Sequence, residues 1–395
     1  MPFTCRRMSL PQYEPGLQQE SVDLRIAFVY DIPYPWHKGG LEYILSVEAS
    51  ELAKKHEVHF FTMRWPGMKK EFVHKGVTYH TFGNFSEETA YRHGRRAIRE
   101  TLVFTLCMVN LFRYDFDVVI SNIFPVVHLP LVRLFSRMKN TILVFKVDEV
   151  WDSEYWKDYL GAVAGTAAGF YANSFLVSDR AYYVANSWDT ADRLHAVGVD
   201  KKRIRVFAPV LDNVTLGKAV KDAGRRRKRI IFAGRFIKEK RLDKWIDAVK
   251  IAMDMDHEVE ALLVGKGMEM KKISGKIRKL GLEKKIRIKP FFRNKKDLYK
   301  DIAESSVLLH MGEREGLGII ALESVALGTP VVLPDYSPIP KMVKDMCVVA
   351  DEKEIPERII DIIKGNGKYI KHEENLKVFS TSNVISFYDG LFKAR

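Results

Sequence analysis

Leu24-Arg-Ile-Ala-Phe-Val-Tyr30 and the loop Asp31-Ile-Pro-Tyr-Pro-Trp-His-Lys-Gly-Gly40 form a β-rich run that empties into a turn rich in proline and glycine. A segment of helical period follows from Leu41 to Lys55 and leads at once into a second strand, Glu57 to Thr62. Strand, helix and strand in this order make a βαβ unit. Its continuous apolar strands predict a parallel sheet covered on both faces.

The same alternation extends outward from this unit. Strands are predicted at Val118 to Asn122, Thr141 to Val147 and Tyr183 to Asn186, with helical patterns between them. From Arg203 to Val210 the chain reads as extended, running through Pro209 toward the basic stretch Gly224 to Lys228, a natural hinge. Then the pattern restarts. Strands at Arg229 to Ala233, Glu258 to Val264, Lys285 to Lys289, Ser306 to His310 and Pro330 to Pro334 alternate with helices at Arg241 to Met253, Met268 to Leu280, Lys296 to Glu304 and Ile319 to Leu327. The expected fold class is α/β, with two Rossmann-like doubly wound domains facing a cleft. The expected divisions are an N-terminal extension over 1–23, a first domain over 24–207 and a second over 208–377. A C-terminal helix within 378–395 is expected to return to the first domain.

Composition agrees with two domains, since 395 residues at 47% apolar content exceed what one hydrophobic core usually organises. The longest nearly apolar stretch, Thr101 to Phe112, is too short to span a bilayer. The first twenty residues lack the apolar core of a signal peptide, so a cytoplasmic location is expected. Cys5, Cys107 and Cys347 match no metal or redox spacing. Residues 1–200 hold 22 of the 64 Lys+Arg and 23 of the 50 Asp+Glu, which leaves 42 against 27 and a net +15 in the remainder. Such a field attracts anionic partners. Nucleic acid is not expected among them, because the basic clusters lack interleaved aromatic residues.

The densest chemical signal is Glu313-Arg-Glu-Gly-Leu-Gly-Ile-Ile-Ala-Leu-Glu323. Gly316 and Gly318 let backbone approach a ligand closely around Leu317, and the helix start at Ile319 offers free N–H groups to an anion. Glu323 lies about one turn into an almost wholly apolar helix, so its carboxylate needs a partner. A second signal, Ile230-Ile-Phe-Ala-Gly234-Arg235-Phe-Ile-Lys-Glu-Lys240, again sits where a strand opens into a helix. Arg235 and Lys240 suit the oxygens of a diphosphate and the charge that grows on it as it departs.

Together these segments resemble glycosyltransferase family 4, the retaining enzymes of the GT-B fold. Glu315 and Glu323, with seven residues between them, match the family's glutamate pair; Gly316-Leu-Gly318 matches its glycine turn; and Gly328-Thr-Pro-Val-Val332 matches the strand entry that follows. Arg235 and Lys240 match its phosphate-binding pair. The resemblance implies that Glu315 holds hydroxyls of the donor sugar, Glu323 the ribose hydroxyls, and Arg235 with Lys240 the diphosphate. Gly39 and Gly40 look like the family's glycine loop near the reacting centre. Asp148, before Glu149-Val-Trp151, stands where related enzymes often carry histidine, and Arg241 replaces the glycine that commonly follows the lysine. Asp148 would accept a hydrogen bond from the acceptor hydroxyl, or else pair with Lys146 or Lys157.

The activity so implied moves a hexose from a nucleotide sugar to a glycan, lipid-linked or other hydroxyl acceptor, with retention, without a metal and without a further cofactor. Leu160 to Tyr171 and the basic Tyr91 to Arg99 are candidates for peripheral membrane contact. Two other readings stay open: Gly316-Leu-Gly-Ile-Ile-Ala321 also fits an NAD(P)-binding fingerprint of an oxidoreductase, and the altered Asp148 fits a non-catalytic sugar-binding protein.

Overall fold

The computed structural model describes residues 23–37, 39–86, 91–92, 95–290, 294–366 and 373–393. The extension expected before residue 23, with Cys5, lies outside them, as do Lys38 and most side chains of the segment Tyr91 to Arg99.

Two sheets carry the chain. The first has eight strands in the order Ile204–Val206, Ala181–Ala185, Ile142–Val147, Val118–Asn122, Arg25–Val29, Glu57–Met63, Val77–Phe82 and Glu71–His74. All its pairings are parallel except that of the edge strand Glu71–His74, which turns back on Val77–Phe82. The second has six parallel strands in the order Ile286–Lys289, Glu260–Val264, Arg227–Ala233, Ser305–Leu309, Val331–Pro334 and Val348–Ala350. Both are doubly wound: each chain path starts in the middle, runs to one edge, then returns and continues to the other. Parallel strands covered on both faces explain the apolar runs, with Ile26, Ala27, Phe28 and Val29 all but inaccessible.

Right-handed crossovers fix the face on which each helix lies. From Val77–Phe82 to Val118–Asn122, and on through Ile142–Val147 to Ala181–Ala185, every step runs in one direction across the sheet. Helices Ile98–Cys107, Leu129–Lys139 and Ala162–Leu176 therefore share one layer, while Gly40–Leu52, which joins strands stepping the other way, lies on the opposite face. Ala162–Leu176 packs closely on Ser153–Leu160 because Gly165 leaves room: a Cβ there would meet the Trp156 carbonyl oxygen at 2.3 Å.

Some sequence expectations need correction. The extended hinge holds only as far as Leu211, because Asn213–Asp222 is a helix. Asp212 caps it, accepting from the Thr215 amide at 2.9 Å, a local start signal that outweighs the run of polar residues behind it. Arg241 lies in the left-handed region at φ 49°, which supplies the physical reason for glycine at this place in related chains. Its guanidinium pairs with Glu313.

The returning helix Asn383–Lys393 packs on Gly40–Leu52, with Val384 and Tyr388 inaccessible in the first core. A buried charge pair anchors it. Lys146 donates to Glu48 Oε1 at 2.6 Å with both side chains at 0% exposure, and the Tyr388 hydroxyl donates to Glu48 Oε2 at 2.9 Å. Removing one partner of such a pair leaves an uncompensated buried charge. Glu48→Ala is expected to destabilise by roughly 3–5 kcal/mol, and Tyr388→Phe by about 1 kcal/mol, in urea unfolding. Equal small losses in the two variants would contradict the anchoring role.

Candidate active site

In the second sheet the winding reverses between Arg227–Ala233 and Ser305–Leu309, so the chain leaves the carboxyl ends of these two neighbours in opposite directions and a crevice opens between them. The first strand delivers Gly234, Arg235 and the turn Lys238–Lys240; the second delivers His310 to Gly318 and the helix Ile319–Ala326. The two loops are tied by a backbone bond from the Glu313 amide to the Glu239 carbonyl, 2.9 Å. Across that tie the Lys240 ammonium pairs with Glu315 Oε1, and His310 Nε2 lies 2.7 Å from the same oxygen. Burial works against the ionised form of Glu315, yet Lys240 and His310 hold its carboxyl well below the usual carboxylate range.

Gly318 caps the helix at φ +75°, a conformation open to glycine, and Leu317 is buried beneath it. Gly316 is one place where the two units meet. A Cβ on it would lie 3.0 Å from both the Asp148 carbonyl oxygen and Glu149 Cγ. Gly40 does the same from the other side, its Cβ position being 2.9 Å from Ile319 Cδ1, and Gly39 caps the helix that Gly40 begins. Gly40 and Gly316 are thus points at which the first unit's loops meet the glycine turn and helix of the second.

The first sheet has its own reversal, between Arg25–Val29 and Val118–Asn122, and the loops that leave its carboxyl ends face the same crevice. Asn122 donates to Asp148 Oδ2 at 2.8 Å. The alternative partners are engaged elsewhere, Lys146 with Glu48 and Lys157 with Glu154. Burial raises Asp148 to about 6, against the pull of Lys146 and the Asn122 bond. Glu149, which accepts from the Trp151 indole at 3.0 Å, is also pushed up, chiefly by burial; it feels Glu315 as a further upward push and Lys240 and Arg235 as opposing cations. Arg235 itself is exposed and makes no ion pair among the described residues. Burial works to raise Glu42, but the neighbouring His37 and, at longer range, Arg235 keep its carboxyl below the usual range. Arg235, Lys240, Glu315 and Asp148 thus converge on one crevice, lined by Gly39, Gly40, Gly234 and Gly316 to Gly318.

Glu323 sits deeper on the same helix, 1% exposed. The partner its apolar surroundings demand is twofold: the Tyr299 hydroxyl donates to Oε1 at 2.8 Å, and Lys295 donates to the same oxygen. Sequence reading passed over Lys295 and Tyr299, which stand 24 residues or more away, and over His310, taken as a strand end. Glu149 had a usable signal in its place beside Asp148.

The two halves of the chain match different family models: residues 38–213 that of "Glycosyltransferase Family 4" and residues 218–379 that of "Glycosyl transferases group 1". A curated relative, N-acetyl-alpha-D-glucosaminyl L-malate synthase of Bacillus anthracis, is 25% identical over 177 residues, 42% of this chain and 45% of that enzyme, so the match spans under half of its length. Among solved structures, Anabaena HepE in complex with UDP and glucose is similar at a TM-score of 0.66 and 15% identity, over 94% of this chain and 100% of that one. Sucrose-phosphate synthase from Thermosynechococcus elongatus is similar at a TM-score of 0.73 and 14% identity, with the same coverage. The structural likenesses speak to the fold alone. The NAD(P) reading falls away, because both family models and the curated relative are those of glycosyltransferases. With one family model on each of its two facing, doubly wound units, the chain belongs to glycosyltransferase family 4 and has the GT-B fold.

Proposed function

We propose that the protein transfers a hexose from a nucleoside diphosphate sugar to a hydroxyl acceptor with retention, and without a metal ion or further cofactor. The observation that carries this reading is the meeting of Arg235 and Lys240 with Glu315 at the crevice, opposite Gly39, Gly40 and Asp148. Two cations and a helix N-terminus offer a diphosphate the charge that a divalent ion supplies elsewhere. HepE, with UDP and glucose bound in the same fold, supports a nucleotide-sugar donor.

In this mechanism the bond from the anomeric carbon to the diphosphate oxygen breaks while the acceptor oxygen bonds to that carbon on the same face. The acceptor's proton passes to the departing diphosphate, whose negative charge Arg235 and Lys240 stabilise. Lys240 has three N–H groups, so it can keep Glu315 while reaching a phosphate oxygen. Glu315, held ionised, accepts from hydroxyls of the donor sugar. Asp148 orients the acceptor hydroxyl, a role that needs its carboxylate form.

A membrane-borne acceptor is the reading of the acceptor side that the surface favours. No helix among the described residues is long and apolar enough to cross a membrane. Yet one helical layer exposes Ile98, Leu102 and Leu106 at successive helical turns, with Leu134, Met138 and Phe170 on its neighbours. Exposed arginines, among them Arg99 and Arg137, flank these side chains and suit an anionic lipid surface. The contact so drawn extends the expected one from Leu160 to Tyr171 across the whole layer.

Arg235→Ala is expected to lower transfer by about 100-fold or more with folding intact, Glu323→Ala to lower it as far while also destabilising the fold because it strands the buried Lys295, and chelation to leave wild-type rates unchanged. Near-normal rates in both variants, or silencing by chelator with recovery on adding manganese, would overturn the assignment. Because the raised Asp148 must be ionised to act, kcat/KM should fall as pH drops through about 6, and Asp148→Asn should lose that acidic limb; a wild-type profile flat from about pH 5 to 8 removes Asp148 from the mechanism. The protein should sediment with vesicles containing phosphatidylglycerol and lose this on replacing Leu102 and Leu106 with Asp, whereas a wild type that ignores such vesicles has no membrane-borne acceptor.

A further inference from the structure

The turn that carries Glu315 reaches in two directions. Glu313 and Glu315 point back into the second unit, where they pair with Arg241 and Lys240, neighbours in the segment that delivers Arg235. Arg314, between them, reaches out to the first unit. Its guanidinium carbon lies 3.9 Å from the ring centre of Tyr155, and its Nη2 donates to Asp158 Oδ2 at 3.0 Å. Tyr155 and Asp158 stand one helical turn apart on Ser153–Leu160, so a single side chain meets one face of that helix at two points.

The helix so gripped begins directly behind the acceptor-side residues. Asp152 caps it, accepting from the Tyr155 amide at 2.8 Å. Trp151 packs on the Tyr155 ring, with centres 4.1 Å apart, and donates to Glu149 Oε2 at 3.0 Å. Glu149 adjoins Asp148, and the two residues meet the second unit at Gly316, next but one to Arg314. Burial pushes the Tyr155 phenol up to about 12, so Arg314 meets a neutral ring whose face attracts a cation. The pair with Asp158 is solvent-exposed and contributes little by itself; added to the ring contact, it sets the direction of the grip.

We propose that Arg314 is a positioning residue for the acceptor side: it registers the loop bearing Asp148 on the donor turn, and does so more firmly when a nucleoside diphosphate occupies that turn. The proposal rests on the nucleotide-sugar reading and adds a link between the donor and acceptor sides of the crevice. A diphosphate held by Lys240 steadies the Glu315 side chain paired with that lysine, and with it the backbone from which Arg314 extends. By reciprocity, the contact of Arg314 with the helix favours nucleotide binding only by the same factor.

The test uses the full-length protein and the nucleoside diphosphate, among UDP, GDP and ADP, that gives the largest thermal shift. Amide hydrogen exchange is followed in peptides covering Ser153–Leu160, with the returning helix Asn383–Lys393 as a control for global stability. At saturating nucleotide the wild-type helix is expected to exchange about threefold or more slowly than without it, although the diphosphate is held by the other unit. Arg314→Met should abolish that gain while nucleotide affinity, measured by titration calorimetry, stays within about threefold of wild type. Arg314→Lys keeps a cation for the ring and the carboxylate and should keep most of the gain. Tyr155→Leu combined with Asp158→Ala, both in the first unit, should abolish it too, which keeps the test decisive if Arg314→Met does not fold. A merely structural contact would speed exchange equally with and without nucleotide and leave the gain intact. A wild-type gain no larger than that of the control helix, a gain undiminished in these variants, or an affinity loss of about tenfold or more in Arg314→Met overturns the proposal while leaving the donor reading in place. Failure of all three nucleotides to bind overturns the donor reading and the proposal with it.

Discussion

A parallel sheet has direction. Every strand points its carboxyl end to the same side, and where the winding reverses, no helix covers the gap between the two diverging loops. The rest of this molecule depends on that constraint being met twice. One reversal gathers Gly234, Arg235, Lys240 and the Glu315 turn; the other gathers the Gly39–Gly40 loop and, from the adjacent strand end, Asp148 and Glu149. Because the two openings face each other, residues remote in sequence become neighbours, and Gly316 touches the backbone of Asp148.

Charge neutralisation governs what stands in the crevice. Two carboxylates of the second unit have cationic counterparts: Glu315 has Lys240 and His310, and Glu323 has Lys295, with Tyr299 donating to the same oxygen. Arg235 stands apart as an exposed cation. A diphosphate entering this environment meets a preorganised, partly neutralised field, so the attraction is concentrated on the side where Arg235 and Lys240 lie. The +15 balance of the C-terminal half lies mostly outside this arrangement.

Most of the fold was legible, because apolar runs and helical periods are local properties of a chain. Val118–Asn122 was read to the residue. The helix Asn213–Asp222 was not, since its start depends on one capping aspartate in a polar stretch. The glutamates, the glycines and the Arg235–Lys240 pair were legible as motifs because their chemistry is concentrated in short segments. Their partners were not, because a lysine such as Lys295 looks the same in sequence whether it is solvated or buried against Glu323. The same holds for Lys146 and Glu48, separated by 98 residues and joined only by the packing of helix on sheet. Arg241 could be noticed as a departure from glycine, but the positive φ behind it belongs to three dimensions.

The chain crosses between the two units twice, and the crossings run side by side. The Leu211 amide donates to the Phe379 carbonyl at 2.7 Å, and Leu211 bridges Ser380 in parallel register. A single tether would leave one body free to swivel about it. Two tethers laced together act as the pins of a door: they resist torsion and leave bending about one line as the soft motion. Any bending about that line would keep the loops on either lip of the crevice in lateral alignment, Gly40 opposite Ile319 and Gly316 opposite Asp148.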